Sequence, residues 1–279
     1  MRSAEALVRA ILDASPATLP GRARLKALIA LGRLLVSAGD PLVRWSIDGI
    51  ELLLPLSHEL PFYRHDHPLY DRAIGRIAAE AGGPVVDVGA NVDDTAAVIR
   101  SRTDAPILCV EGDGRFFALL GRNAPQLQPV ELEHAFVEAP ARGRVQRGRG
   151  TARVVGVSGS EPQTQTALRT KPLAQILEEH PSFAKPALVK LDTDGFDVPI
   201  VLANLELLAR TRPVLFFEYD PHLGATPDVF ERLRDIGYRR MDVYENTGEH
   251  VRTVELPGDI HDEYVGHRGA RYADVCVRP

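Results

Sequence analysis

Carboxylates crowd the ends of two apolar runs. Asp192 and Asp194 lie near the end of "LVKLDTDGFD" (188–197), while Glu218 and Asp220, with His222 just behind, close "FFEYDPH" (216–222). Runs of this kind read as buried strands of a covered sheet, so their polar ends emerge together at one edge. Like charges held close raise the pKa of at least one member and make a carboxylate a better proton acceptor. Asp192, Asp194, Glu218 and His222 are therefore candidate catalytic groups for taking the proton of a poor nucleophile such as an aliphatic hydroxyl. Oxygen ligands from two strands would also suit Mg²⁺ or Ca²⁺, but no bidentate pattern is visible and no metal is expected. Lys190, on the first of these strands, needs one of the acids as a partner if it is buried. Tyr63, His65 and His67, in the aromatic and histidine-rich stretch "SHELPFYRHDHPLYDR", are candidates for the acceptor side.

A second constellation points to a nucleoside. "PVVDVGANVDDTAAVIR" (84–100) reads as strand, glycine turn and helix, which aims backbone N–H groups at a ligand. Glu111 ends the next strand 22 residues after Gly89 (111 − 89), near the spacing at which a carboxylate reads ribose hydroxyls. A dinucleotide pyrophosphate would need G-x-G-x-x-G. Here two of those glycines are absent, and Asp93 and Asp94 stand where phosphate charge would sit, so a nicotinamide cofactor is disfavoured. S-adenosylmethionine has no phosphate and carries a sulfonium and an ammonium, which an acidic loop tolerates.

The elements that must position these residues follow from periodicity. Two helical pieces occupy residues 1 to about 40, separated by Pro16, Pro20 and Gly21, and "VRWSIDGIELLLPL" reads as a hairpin turning at Asp48-Gly49. A helix is expected over about 69–81. From Pro84, near-continuous apolar runs alternate with helical segments at 94–100, 115–123, 172–180, 198–209 and 227–236, and "YRRMDVYE" and "RYADVCV" are late strands. That order predicts an α/β fold with a doubly wound, mostly parallel sheet. The expected division is an N-terminal helical and hairpin extension, 1–82, serving the substrate side or a dimer contact, and a nucleoside-binding domain, 83–279.

With these blocks in order, the chain resembles the FkbM family of S-adenosylmethionine-dependent methyltransferases. The resemblance runs from about Leu52 to the C-terminus through "VVDVGAN", "CVEGDGRFFALLGRN", "LVKLDTDGFD", "RPVLFFEYDP", "YENTG" and "YADVCV". It implies a class I methyltransferase (Rossmann-like) sheet and S-adenosylmethionine as donor, with S-adenosylhomocysteine as product. The acceptor it implies is a hydroxyl on a sugar, a glycan or a natural-product intermediate. By position, Asp87, Gly89 and Asn91 would line the methionine end, Thr95 would join them from the helix start, and Glu111 would hold the ribose. Gly112, His134 and Phe136 would border the adenine. Asp93 departs from the small residue usual in that loop, and Lys171-Pro172-Leu173-Ala174 replaces a frequent Thr-Leu-Asp. A chain of this fold that had lost its donor would serve instead as a regulatory or scaffolding partner.

Bulk properties narrow the setting. The chain has 279 residues and a formal net charge of −5, which gives no general pull toward nucleic acid. Cys109 and Cys276 sit in apolar runs, as buried thiols do in a reducing compartment. Glu5 and Arg9 interrupt the first apolar pattern and Lys26 and Arg33 the second, leaving neither a signal-peptide core nor a membrane span. A cytoplasmic protein with no nucleic-acid or membrane partner is expected, and a homodimer is compatible. The arginines at 142, 144, 147, 149 and 153 read as an exposed hairpin.

Overall fold

The computed structural model describes residues 2–14, 19–140, 142–148, 150–155, 166–258, 260–265 and 272–279. Helices α1 (Arg2–Leu12) and α2 (Leu19–Ser37) lead into a hairpin of β1 (Leu42–Ile47) and β2 (Ile50–Pro55), then α3 (Leu60–Asp66) and α4 (Arg72–Ala81). The alternating part begins with β3 (Val85–Val88), α5 (Asp94–Arg100), β4 (Ile107–Glu111), α6 (Gly114–Asn123) and β5 (Val130–His134). A smaller array follows: β6 (Phe136–Val137), β7 (Arg142–Arg147), β8 (Ala152–Val155), β9 (Thr166–Ala167) and β10 (Thr170–Lys171). The chain then returns through α7 (Leu173–Glu179), β11 (Leu188–Leu191), α8 (Asp197–Ala203), α9 (Leu205–Thr211), β12 (Val214–Tyr219) and α10 (Asp228–Asp235). It ends with β13 (Arg240–Glu245), β14 (His250–Glu255), α11 (His261–Val265) and β15 (Ala273–Arg278).

The main sheet runs β14-β13-β15-β12-β11-β3-β4-β5. Strands β5, β4, β3, β11 and β12 are parallel; β15 inserts antiparallel beside β12, β13 pairs antiparallel with β15 and so runs with the parallel set, and β14 is antiparallel at the edge. This is the doubly wound, mostly parallel sheet expected. The order reverses between β3 and β11, which opens a crevice at their carboxyl ends.

Two apolar layers cover the sheet. Val86, Val88, Leu108, Val110, Val189 and Leu191 face the layer that holds α7, α8 and α10. Val85, Ile107, Cys109 and Leu188 face the other, built by α1, the β1–β2 hairpin, α4 and α5. Helices α1 and α4 and the β1–β2 hairpin thus share the core of the sheet: Val43, Ile47, Leu52 and Leu54 are fully enclosed. Alternation also explains the charged pair inside this layer. Asp87 and Lys190 lie opposite each other in the β3–β11 register, so both emerge on the same face.

Four local readings change. Pro20 and Gly21 belong to the first turn of α2, where proline costs no helical hydrogen bond. The segment expected as one helix over 198–209 is two, parted at Asn204, whose amide donates to the Ile200 carbonyl and to Glu138. Residues 60–66, expected as loop, form α3, with Pro61 in its first turn. The arginine-rich stretch is a hairpin as expected but not a free surface insertion, because its turn closes over the crevice. Arg149 and the side chain of Arg142 lie outside the described residues.

Candidate functional site

The floor of the crevice depends on a residue with no side chain. Gly89 has φ +81°, and a Cβ there would come within 1.8 Å of the Asp192 carbonyl oxygen. Only glycine allows the ends of β3 and β11 to approach this closely. Gly89 and Ala90 donate their N–H groups to the Val110 carbonyl at 2.9 and 3.1 Å, and Asp192 donates to Val88 at 3.0 Å. The three strand ends are locked together.

Glu111 joins the loops. It accepts from the Asn91 N–H at 2.9 Å and from the Asp113 N–H at 2.6 Å. Burial raises its pKa to about 7, against the pull of those two N–H groups. Gly112 lies under Phe136, whose ring would be 2.2 Å from a Cβ at that position. Gly89, Asn91, Glu111, Gly112 and Phe136 line one slot together, with Ala152 and Val154 of the hairpin above them. The slot holds about 60 Å³, well below the roughly 300–1,000 Å³ of small-molecule sites. The hairpin closes it, held by Asn91 Nδ2 donating to the Gly150 carbonyl at 2.5 Å and by Arg147 pairing with Asp113 at 2.6 Å.

A second compartment of about 360 Å³ adjoins the slot and shares Gly89, Asn91, Asp192 and Asp194 with it. Its lining includes Tyr63, Tyr70, Tyr272, Lys190, Glu218, His58 and Asp94, with Gly148, Gly150 and Thr151 of the hairpin turn. Lys190 lies 3.1 Å from Asp87 and 3.3 Å from Asp192. Burial opposes its charge, yet Asp87, Asp192, Asp71 and Asp94 together hold its pKa well above the ordinary value. Burial, then Asp192 and Asp197, push Glu218 up to about 11. Burial and Asp192 bring Asp194 to about 6, opposed by Arg153 and Lys190. Asp71, raised by burial and Asp94, reaches about 8, and Asp274 is raised well above the usual carboxylate range by burial and Asp192. At neutral pH Glu218 is thus a proton-bearing donor, and Asp194 is a base poised just below neutrality.

The remaining candidates lie elsewhere. Asp87 is enclosed beneath the floor and acts on the site only through Lys190. Thr95 is buried in α5 and lines neither compartment. His134 is drawn off by Phe117, on which it stacks at 4.4 Å with an interplanar angle of 10°. His65 on α3 is exposed and His67, just past its end, packs on Tyr63 at 4.6 Å, leaving Tyr63 as the member of that trio that reaches the cleft. His222 is held by the turn in which its N–H donates to Asp220, outside both compartments. Asp197 folds back to accept from the Thr193 N–H and hydroxyl, fixing the β11–α8 loop.

Asp93 does not enter the ligand space. It is enclosed, lines neither compartment and sits at φ +72°, and among the described residues its carboxyl oxygens meet no N–H or O–H donor, only the thiol of Cys109. Burial and the neighbouring Asp87 push its pKa well above the usual range. Sequence reasoning missed His58, Asp71, Tyr272 and Asp274. The last two stood in "RYADVCV", where a polar residue inside an apolar strand was the available signal. Among the described residues no group of three or more His, Cys, Asp or Glu converges as a metal site.

A doubly wound, mostly parallel sheet with a glycine turn and a carboxylate at its switch point is a Rossmann-like arrangement that presents a nucleoside-sized crevice at the strand ends. Residues 120–240, from α6 into β13, match the family model described as "Methyltransferase FkbM domain". No curated protein matches the sequence. Among solved structures, the chain is similar to the methyltransferase FkbM from Methylobacillus flagellatus KT (11% identity, 71% of this chain and 44% of that one, TM-score 0.40). It is also similar to the O-methyltransferase from Bacillus cereus in complex with SAH (9% identity, 99% of each chain, TM-score 0.43). A third is the precorrin-6y C5,15-methyltransferase from Geobacter metallireducens GS-15 (12% identity, 74% of this chain and 85% of that one, TM-score 0.39).

Proposed function

We propose that the protein transfers a methyl group from S-adenosylmethionine to a hydroxyl of a neutral sugar, glycan or natural-product acceptor. The observation that carries this reading is the pair of compartments meeting at Gly89, Asn91, Asp192 and Asp194. One is lined for a nucleoside, the other for a polar acceptor, and the junction is where the two reactants would face each other.

The residues present suit the donor. Gly89 lets the ends of β3 and β11 meet as the floor of the slot, and Asn91 stands beside it. Glu111 keeps lone pairs for ribose hydroxyls, and Gly112 with Phe136 offers a flat wall for the adenine. When bound, the donor supplies a methyl group already activated by its sulfonium. The chain has to align the acceptor, exclude water and remove one proton. Asp194 is assigned the proton of the acceptor hydroxyl. Protonated Glu218 and the tyrosines hold neighbouring oxygens, and Asp192 and Lys190 fix the edge on which they act. An anionic acceptor would meet Asp94, Asp192 and Asp194 with Lys190 already engaged, so phosphorylated sugars are poor candidates.

The reading in which the fold has lost its donor rested on Asp93 blocking the loop. That side chain lies outside the slot, which removes the reason for it. We place the protein in the cytoplasm. Among the described residues no helix is long and apolar enough to cross a membrane.

Titration calorimetry with S-adenosylmethionine and S-adenosylhomocysteine tests the donor, and micromolar binding is expected. Failure of both to bind overturns the proposal. Mass-spectrometric gain of one methyl on neutral glycosides, and none on their phosphorylated forms, tests the acceptor class.

A further inference from the structure

Helix α2 packs through one stripe and leaves another bare. None of its nineteen residues is fully buried. Leu25, Leu28, Gly32 and Leu35 form the inward stripe at helical spacing, with Gly32 against Leu7 of α1. On the outer side Leu19, Leu31 and Leu34 are 79%, 46% and 65% exposed. At 100° per residue these three, with Ala23 and Ala27, fall on one strip about 120° wide. Arg22, Lys26 and Arg33 flank one side of it and Arg24 the other, all exposed, and the helix has no acidic residue.

An aliphatic strip between cationic flanks fits the boundary between acyl chains and anionic headgroups. Charge favours that occupant over a second copy meeting α2 face to face, which would bring the eight cations of two helices together. Charge also restricts the orientation. The chain carries −5 and α2 contributes +4, leaving −9 on the remainder, so α2 is a face that an anionic surface attracts against the net charge of the rest. We propose that α2 lays this strip on an anionic bilayer and makes the protein a peripheral membrane protein. This departs from the expectation of no membrane partner, and it does not depend on the methyltransferase reading.

The test is co-sedimentation of the full-length protein with vesicles of phosphatidylcholine alone and of phosphatidylcholine with about 30 mol% phosphatidylglycerol. Binding to the second and not the first is expected, weakening steeply with added salt. Lys26→Gln and Arg33→Gln should each weaken partition about five-fold, and Leu31→Ser with Leu34→Ser should weaken it at least ten-fold. These side chains are exposed, so unchanged thermal melting shows that each variant is folded. The proposal is overturned if anionic vesicles do not bind the protein, or if neither set of variants alters binding. It is equally overturned if light scattering shows a dimer that the leucine variant dissolves while vesicles bind neither form; the face then belongs to a second copy.

Discussion

At the scale of single residues, the cleft separates carboxylates that look alike in sequence. Asp194, at about 6, titrates where a base is useful, whereas Glu218, at about 11, keeps its proton. Methyl transfer at saturating donor should therefore lose rate below a pH of about 6, and Asp194→Asn should cost about 10²–10⁴-fold in kcat with little change in S-adenosylhomocysteine affinity. A pH–rate profile and calorimetry on the same preparations check both. Asp93 makes a different prediction. A buried acid with a raised pKa costs stability wherever the unfolded chain has ionised and the folded one has not, that is, above pH 4. Its φ of +72° adds strain that glycine would not feel. Asp93→Gly should stabilise the fold by about 1–3 kcal/mol at pH 7.5, and by less at pH 3.5, where both states hold the proton. Urea unfolding at the two pH values measures the difference, and donor affinity should stay within about two-fold.

At the scale of elements, the β7–β8 hairpin covers the slot proposed for the donor. It must be displaced for a nucleoside to enter about 60 Å³, and it is held by the Arg147–Asp113 pair and the Asn91–Gly150 hydrogen bond. Asp113 is enclosed and also caps α6 through the Arg115 and Phe116 N–H groups, so Arg147 is the side to remove. Arg147→Ala should speed donor association and dissociation several-fold while leaving the melting temperature nearly unchanged, which stopped-flow fluorescence with S-adenosylhomocysteine would show. This hairpin also marks the limit of what the sequence discloses. Gly89, Glu111 and Asp192 were legible because strand, turn and carboxylate lie within short contiguous motifs whose geometry is local. The arginine-rich hairpin read as a surface feature because its position over the cleft depends on Asn91 and Asp113, 59 and 34 residues from their partners. His134 read as a ligand residue for the same reason, since Phe117, on another element, decides where its ring goes. Asp93 was a puzzle only while its side chain was assumed to point into the loop.

At the scale of the whole molecule, the fold gathers acids from β3, the residue before α4, the first residue of α5, the loop after β11, β12 and β15 around one lysine. Desolvation there exceeds what Lys190 can offset. Asp194 reaches about 6, Glu111 and Asp197 about 7, and Asp71 about 8, against unfolded values near 4. Between pH 4 and 8 the folded chain therefore binds more protons than the unfolded one, and stability must fall as pH rises through that window. Glu80 and Asp242 are shifted down by their arginine and threonine partners, so their contribution is lost as pH falls below about 4 and does not cancel this slope. Scanning calorimetry should find the highest melting temperature near pH 5 and a steady decline toward pH 8.5. A cationic donor bound against the same carboxylates favours their ionised forms. S-adenosylmethionine should consequently release protons on binding at pH 7, and its stabilisation relative to the uncharged thioether of S-adenosylhomocysteine should grow with pH. Titrations in two buffers of different ionisation enthalpy read the proton count directly. A melting temperature flat from pH 5 to 8.5, with no proton released, would mean that the cluster is already ionised in the folded protein and that the acidic cleft does not discriminate between the two ligands by charge.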